Sequence, residues 1–533
     1  MSTKVSATLS DRMTQASAAA ADRFGMAPVG ESRLDDALAN AIDPQKMINN
    51  CAEVWRVSAE QARSVLAEHG FGGVLARLRP DASAAGQEGE IQGEPFAPSE
   101  VLSPGDRGVR IRALNPSFGE PAMAAASILE SVRSSLSAFL PTAKRDTLGL
   151  LYRDDPGAFV ERFLSRDAPK IDAYVGTHFG NAGPQYLVNS GIGANEQFNY
   201  FVSALANARP DCRCTWLLAN SPKAVSELPR DARVDNTLFM EFSRSGITEE
   251  TIKLHEFTPR AARRVVFANA GPLRELAERD GNLVLELPSE VSGRYGRNKT
   301  PILMAPMHVA GLDVRAYWGT ISAACGAMDL SDPASAPVAL ATYLRVQQLR
   351  YGVNHIYLGT NDPLLRYSAD ELCQFWNEGV NRDGNDMTMS RYLGLPRDSH
   401  MNLEAILGTS EHKIAIFLLS MSEPAGHPLL CGSIDSLRSA HAGLTAGQTD
   451  TVLALANAKR CSEKMPTIVI TVDRVDLASS AVLGQIWADT TLVYSRLIGG
   501  DPGSNPEVKA VRTRAAEWLA DKDQAFALLG DGV

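Results

Sequence analysis

The chain has 533 residues, 44% hydrophobic and 21% charged, with a formal net charge of −10. That length exceeds what one hydrophobic core serves, so two or more core-forming units are expected. The acidic balance and the want of a long basic run argue against a nucleic-acid binder. A small anionic ligand stays compatible, because local cations and backbone N–H groups can hold it.

Met1 to Ala21 is polar and rich in Ser, Thr and Ala, with no apolar h-region. No signal peptide is expected there, and no stretch approaches the apolar length that spans a bilayer. Residues 1–80 read as Ala-rich helices, with acidic first turns at Asp35-Asp36 and Glu60. Residues 81–99 carry Gly, Pro, Ser and Glu around only two large apolar residues, Ile91 and Phe96, and read as a linker. Helical patterning returns from Pro121 to about Gly176. Residues 1–140 are thus expected to form a helical N-terminal extension.

Beyond about residue 185, short apolar runs alternate with helix-length segments. Candidate strands are Tyr186–Asn189, Thr215–Ala219, Thr237–Phe242, Arg264–Ala268 and Leu283–Leu287. A second series follows the helical stretch Ser335–Tyr351: His355–Leu358, Lys413–Leu419 and Thr467–Val472. Alternation of this kind marks βαβ units and parallel sheets. Two α/β units are expected, 141–335 and 336–500, with a C-terminal helical segment at 501–533.

Seven cysteines are scattered at positions 51, 212, 214, 325, 373, 431 and 461. Cys212-Arg213-Cys214 is too tight for usual zinc spacing and has no second pair nearby. Reduced thiols in the cytoplasm are the expectation, and no ligand cluster for a metal or redox cofactor is present.

Five segments carry chemistry. Ser190-Gly191-Ile192-Gly193-Ala194-Asn195 lies between a strand and a helix, where glycines let backbone approach a ligand. A plain βα turn reads equally well, and a dinucleotide fingerprint fails because Glu196 stands where its last Gly belongs. Phe242 to Thr251 places Ser243, Ser245 and Thr248 around the flexible Gly246 before a helix. Hydroxyls, free amides and a helix start suit a phosphate; an N-cap formed by Ser245 or Thr248 is the alternative.

Ser292 to Thr300 gathers Arg294, Arg297 and Lys299, either a cation cluster that holds an anionic intermediate or a solvated loop. Cys373 to Gly384 sets Glu378 by Trp376 near a helix end, either a general base or a surface carboxylate. Pro396 to Leu407 has Ser399 positioned to cap a helix beginning at His400, which is either an acid–base group or a packing residue.

Together, in this order, the segments resemble the phosphoglucose isomerase family, built on two sugar isomerase (SIS) domains of doubly wound α/β type. The likeness runs from about Arg145 to Arg512. The family's Gly-Ile-Gly-Gly-Ser turn matches Gly191 to Asn195. Its Ser-Lys-Thr-x-Thr-Thr-x-Glu-Thr phosphate loop matches Ser243 to Thr251, with Arg244 in the second place, and the broader SIS pattern Ser-x-Ser-Gly-x-Thr-x-Glu-Thr fits the segment without a mismatch. Its catalytic Glu falls on Glu378, its active His on His400 and its Gly-Gly-Arg arginine on Arg294. Its C-terminal segment looks like Ser504 to Arg512, which includes Asn505 and Lys509. Departures are Asn195 for Ser, Gly379-Val380-Asn381-Arg382 for the Ser-x-Gly-Lys that follows the Glu, Asn505 for Gln and Arg512 for a catalytic Lys; Arg keeps the charge but does not give up a proton near neutrality.

The resemblance implies an aldose–ketose isomerase that needs no cofactor. Glucose 6-phosphate and fructose 6-phosphate would interconvert through a cis-enediol. Ser243, Arg244, Ser245 and Thr248 would bind phosphate, and Gly193, Asn195, Asn505 and Lys509 the rest of the sugar. Glu378, His400, Arg294 and Arg512 would carry catalysis. A homodimer is implied, since the family's active His crosses a dimer interface. The rivals are an isomerase of another phosphorylated sugar and a non-catalytic SIS module that senses one.

Overall fold

The computed structural model describes residues 99–103, 107–114 and 156–521, excepting 192–196, 290–294, 296–299, 331, 333–334, 381–386, 396–397, 409–411, 421–444, 501–509, 512, 516 and 519–520. All of these described residues fall in one compact unit, Glu94–Val533.

Two sheets organise it. The first runs in the order β4 (Thr215–Ala219), β3 (Tyr186–Ser190), β5 (Thr237–Phe242), β6 (Arg263–Phe267), β7 (Leu283–Leu285), with all neighbours parallel. Every residue of β3 and of β5 is buried. Continuous apolar runs of this kind belong to strands covered on both faces. One face packs under α1 (Ala168–Phe179), α2 (Gln197–Asn207), α5 (Pro301–Val309) and α6 (Val314–Ala327), through Ile171, Val202, Leu187, Met240, Met304 and Ile321. The other face receives α3 (Glu249–Phe257) and α4 (Gly271–Arg279), through Leu254, Ile252 and Leu273.

The second sheet runs β1 (Ser99–Ser103), β2 (Arg107–Ala113), β11 (Thr467–Val472), β10 (Lys413–Ser420), β8 (His355–Thr360), β9 (Thr388–Gly394). β11, β10, β8 and β9 are parallel to their neighbours; β1 and β2 add antiparallel at the edge. Residues 99–113, assigned from sequence to a linker end and a helical extension, therefore contribute two strands. The reason is visible in β2: Val109 is buried and Ile111 half-buried, while Arg110 between them is exposed and pairs with Asp473 at 2.9 Å. That period of two lets an antiparallel strand bury one face and hydrate the other.

Helices α7 (Ala336–Tyr351), α8 (Leu365–Gly379) and α11 (Leu477–Leu497) cover one face of this sheet, and α9 (Ser399–Gly408) and α10 (Ala446–Ser462) the other. Asp476 caps α11 by accepting from the Ser479 amide. Each residue from Ser479 to Ser495 is buried. One apolar core runs from Phe201 and Leu205 of α2, through Leu483 and Ile486 of α11, to Ile356 and Leu358 of β8. Each such side chain contributes about 1.5–3 kcal/mol by leaving water, so this core binds both sheets into the same unit. Among the described residues, no helix is long and apolar enough to cross a membrane.

Both sheets share a winding. In the first, β3 is entered first, β4 is laid to one side and β5 to the other. Among the parallel strands of the second, β8 comes first, β9 lies to one side and β10 to the other. Each order reverses beside its first strand, and ligands of open α/β sheets bind at the carboxyl ends of the strands flanking such a reversal.

Candidate functional site

The reversal in the first sheet lies at the ends of β3 and β5, where the hydroxyl-rich segment emerges. Ser243 follows β5 directly, is 1% exposed, and donates its amide to the Phe267 carbonyl at 3.0 Å. The chain then turns sharply. Gly246 has φ +67°, and a Cβ there would sit 1.7 Å from the Ala270 carbonyl oxygen. Only glycine fits such an approach. Its carbonyl accepts from Leu273 at 3.0 Å, and that of Arg244 from Asn269 at 3.1 Å. The loop after β5 is thereby stitched to the loop after β6.

Thr248 precedes α3 as its N-cap residue, yet its side chain makes no cap bond. Its Oγ1 lies 2.8 Å from Ser243 Oγ instead. The N-cap alternative therefore does not hold for Thr248: its hydroxyl faces Ser243 and leaves the helix start without that partner. Ser245 is exposed, and its Oγ accepts only a long 3.5 Å contact from the Ile247 amide. Arg244 is exposed, with Nη1 3.5 Å from the Pro288 carbonyl. Two hydroxyls 2.8 Å apart at the start of a helix are donors of the kind that suits a phosphate or carboxylate.

Glu378 lies in the last turn of α8. It is half-buried, and its Oε1 accepts from Gln374 Nε2 at 2.9 Å. Trp376 does not share its environment. Two residues apart on a helix point to opposite sides, and Trp376 turns into the core, 4.5 Å from the Tyr494 ring, with Nε1 bonded to the Met387 carbonyl at 2.9 Å. Asn377, which the sequence did not single out, bonds both ways to Met389 of β9: Nδ2 donates to its carbonyl at 2.8 Å and Oδ1 accepts from its amide at 2.9 Å. Trp376 and Asn377 together clamp the end of α8 that carries Glu378.

Two of the sequence-selected segments meet at α8. Tyr295, next to Arg294, is 1% exposed and packs its ring, tilted by 32°, 5.7 Å from that of Phe375, three residues before Glu378. The helix that follows the Gly191 turn, α2, also lies along α8, where Tyr200 stacks on Tyr367 at 5.7 Å. His400 occupies the second position of α9, which begins one residue earlier than expected, at Ser399. Ser399 is thus inside the helix. Asp398 precedes it and accepts from the Gly394 amide at 2.7 Å. The side chain of His400, and Gly193, Asn195, Arg294, Asn505, Lys509 and Arg512, lie outside the described residues.

No protein-family model matches the chain. It is 27% identical over 298 residues to a probable glucose-6-phosphate isomerase of Halobacterium salinarum, covering 53% of this chain and 67% of that one. It is 25% identical over 247 residues to a glucose-6-phosphate isomerase of Rubrobacter xylanophilus, covering 45% and 56%. Among solved structures it superposes on a glucose-6-phosphate isomerase of Chlamydia trachomatis with TM-score 0.63, 12% identity, and 78% and 89% of the two chains covered. A hypothetical protein of Thermus thermophilus gives 0.60 at 20% identity, covering 77% and 100%. The fold is therefore shared with these structures.

Proposed function

We propose that this chain, a divergent relative of the phosphoglucose isomerase family as its motif order and its sequence relatives agree, is a sugar-phosphate isomerase. The observation that carries the reading is the paired hydroxyls of Ser243 and Thr248, 2.8 Å apart at a helix start beside a strand-order reversal. A phosphate seated there accepts from both hydroxyls, from Ser245 and from the first amides of α3. The sugar then extends from an anchor that does not react. Its binding energy positions C1 and C2 for chemistry elsewhere.

The reaction is the interconversion of glucose 6-phosphate and fructose 6-phosphate. His400 assists ring opening, with Arg512 or Lys509 beside it. Glu378 takes the proton from one carbon and returns it to the other through a cis-enediol, and Arg294 stabilises the charge that develops on oxygen. A homodimer completes the site through His400. A second reading, an isomerase of a different phosphorylated sugar, is favoured by Asn195, Asn505 and Arg512, which depart from the family pattern while Ser243 to Thr251 fits the broader SIS pattern.

The test is a coupled assay for conversion of fructose 6-phosphate to glucose 6-phosphate, run beside Glu378→Gln. Loss of a general base lowers kcat by roughly 10²–10⁴-fold, while phosphate binding persists. Near-normal turnover in the variant removes Glu378 as the base. A wild-type protein that turns nothing over, yet is thermally stabilised by fructose 6-phosphate, moves the assignment to another sugar phosphate.

A further inference from the structure

Behind the phosphate loop lies a buried charged cluster that the isomerase chemistry leaves unused. Glu241 is 1% exposed and His255 3%. His255 Nδ1 sits 2.7 Å from Glu241 Oε2, and its Nε2 sits 3.5 Å from Asp280 Oδ2. Arg264, fully buried, places Nε 3.2 Å from Glu241 Oε1. Its terminal nitrogens donate to Thr258 Oγ1 and to the carbonyls of Pro259 and Ala262. From outside, Arg260 and Arg279 hold Asp280 at 2.9 and 3.0 Å.

The placement is specific. Glu241 stands on β5, two residues before Ser243. His255 stands on α3, seven residues and about two turns after Thr248. The segment 243–248 is strung between these two elements, and the Glu241–His255 bond joins them directly. A buried polar pair adds little net stability over apolar residues of the same size. It does supply direction, because a hydrogen bond fixes the rotation and height of a helix where apolar contacts tolerate sliding.

We infer that His255 is a positioning residue for the phosphate loop. Its bond to Glu241 sets α3 against β5, so that Thr248 Oγ1 and the first amides of the helix stay aimed at the point that Ser243 Oγ faces. This deepens the proposed function and rests on reading 243–248 as the phosphate site.

The experiment compares wild type, His255→Leu and His255→Asn, whose amide keeps a donor where Nδ1 stood. The Kd for inorganic phosphate and for fructose 6-phosphate is read by calorimetry, and KM and kcat where turnover is present. His255→Leu is expected to weaken phosphate binding about tenfold or more, roughly one hydrogen bond's worth, raising KM more than it lowers kcat. His255→Asn should recover most of that loss. A His255→Leu protein with lowered Tm but unchanged Kd and KM overturns the inference and leaves a structural role alone. Should His255→Leu not fold, Glu241→Gln weakens the same bond in a near-isosteric way, and unchanged Kd there overturns it too. A wild type that binds neither phosphate nor sugar phosphate strikes at the loop reading itself, and this inference falls with it.

Discussion

Ser243 and Thr248 are five residues apart, yet their hydroxyl oxygens lie 2.8 Å from each other, one on a strand end and one before a helix. Each hydroxyl has one proton, so without a ligand the pair has one mutual bond and one outward donor, and a bound phosphate that displaces the mutual bond accepts from both. A hydrogen bond to a charged group is worth about 1.5–3 kcal/mol. Ser243→Ala and Thr248→Val are each expected to raise Kd for fructose 6-phosphate by roughly 10–100-fold. The double variant should lose less than the product of the two, because the groups are in contact. Calorimetric titration of the four proteins checks both points.

The turn at Gly246 makes a sharper demand. Alanine there carries the left-handed penalty, about 1–2 kcal/mol, and a collision with the Ala270 carbonyl, 1.7 Å from the added carbon. Gly281→Ala is the control, since its φ of +72° meets open space. Gly246→Ala should lower Tm clearly more than Gly281→Ala and should abolish phosphate binding. Thermal melts with and without fructose 6-phosphate read both effects. Equal melting shifts in the two variants would show that the loops after β5 and β6 separate freely.

The parallel strands were plain in the sequence because strands buried on both faces are written as unbroken apolar runs. Thr215–Ala219, Thr237–Phe242 and Thr467–Val472 have the same limits in sequence and structure. β9 was not, for Thr388-Met389-Ser390-Arg391 has no apolar run to mark it. β2 carried a legible signal, Val109 and Ile111 alternating with Arg110 and Arg112, hidden by its Gly- and Pro-rich surroundings. The hydroxyl-bearing segment 243–248 was legible because its three hydroxyls fall within six residues. The Asn377–Met389 and Glu241–His255 bonds were not, because residues of ordinary type are joined across 12 and 14 positions.

The buried cluster sets an acid limit. Hydrogen bonding from Arg279, then from Arg260 and His255, holds the Asp280 carboxyl well below the usual carboxylate range, against the opposing effect of burial. Its folded pKa lies below its unfolded one, so the unfolded chain takes up the proton first. The stabilisation is complete above the unfolded value, about 4, and fades as pH falls through the window below it. Tm should therefore drop as the pH falls below about 4, and Asp280→Asn should flatten that decline while lowering Tm at pH 7. An unchanged slope in the variant would place the acid sensitivity elsewhere.

Asn377 offers the last test, because it separates holding a base from being one. Its amide replaces a strand neighbour for Met389, with bonds of 2.8 and 2.9 Å, immediately before Glu378. Asn207 makes the same two-way pairing with Trp216 at 2.8 Å in the first sheet, on another helix. Both losses expose the same chemistry to water, so Asn377→Ala and Asn207→Ala should cost similar stability, about 1–3 kcal/mol. Only Asn377→Ala frees the helix end that aims Glu378, and misplacement of a reacting group by about 1 Å costs on the order of 10²-fold in rate. The expected outcome is a fall in kcat of about 10–100-fold for Asn377→Ala, with Kd for inorganic phosphate unchanged, and a kcat near wild type for Asn207→Ala. Equal kcat in the two variants would mean that the pairing with β9 does not aim the base, and that the contact with Gln374 suffices to hold it.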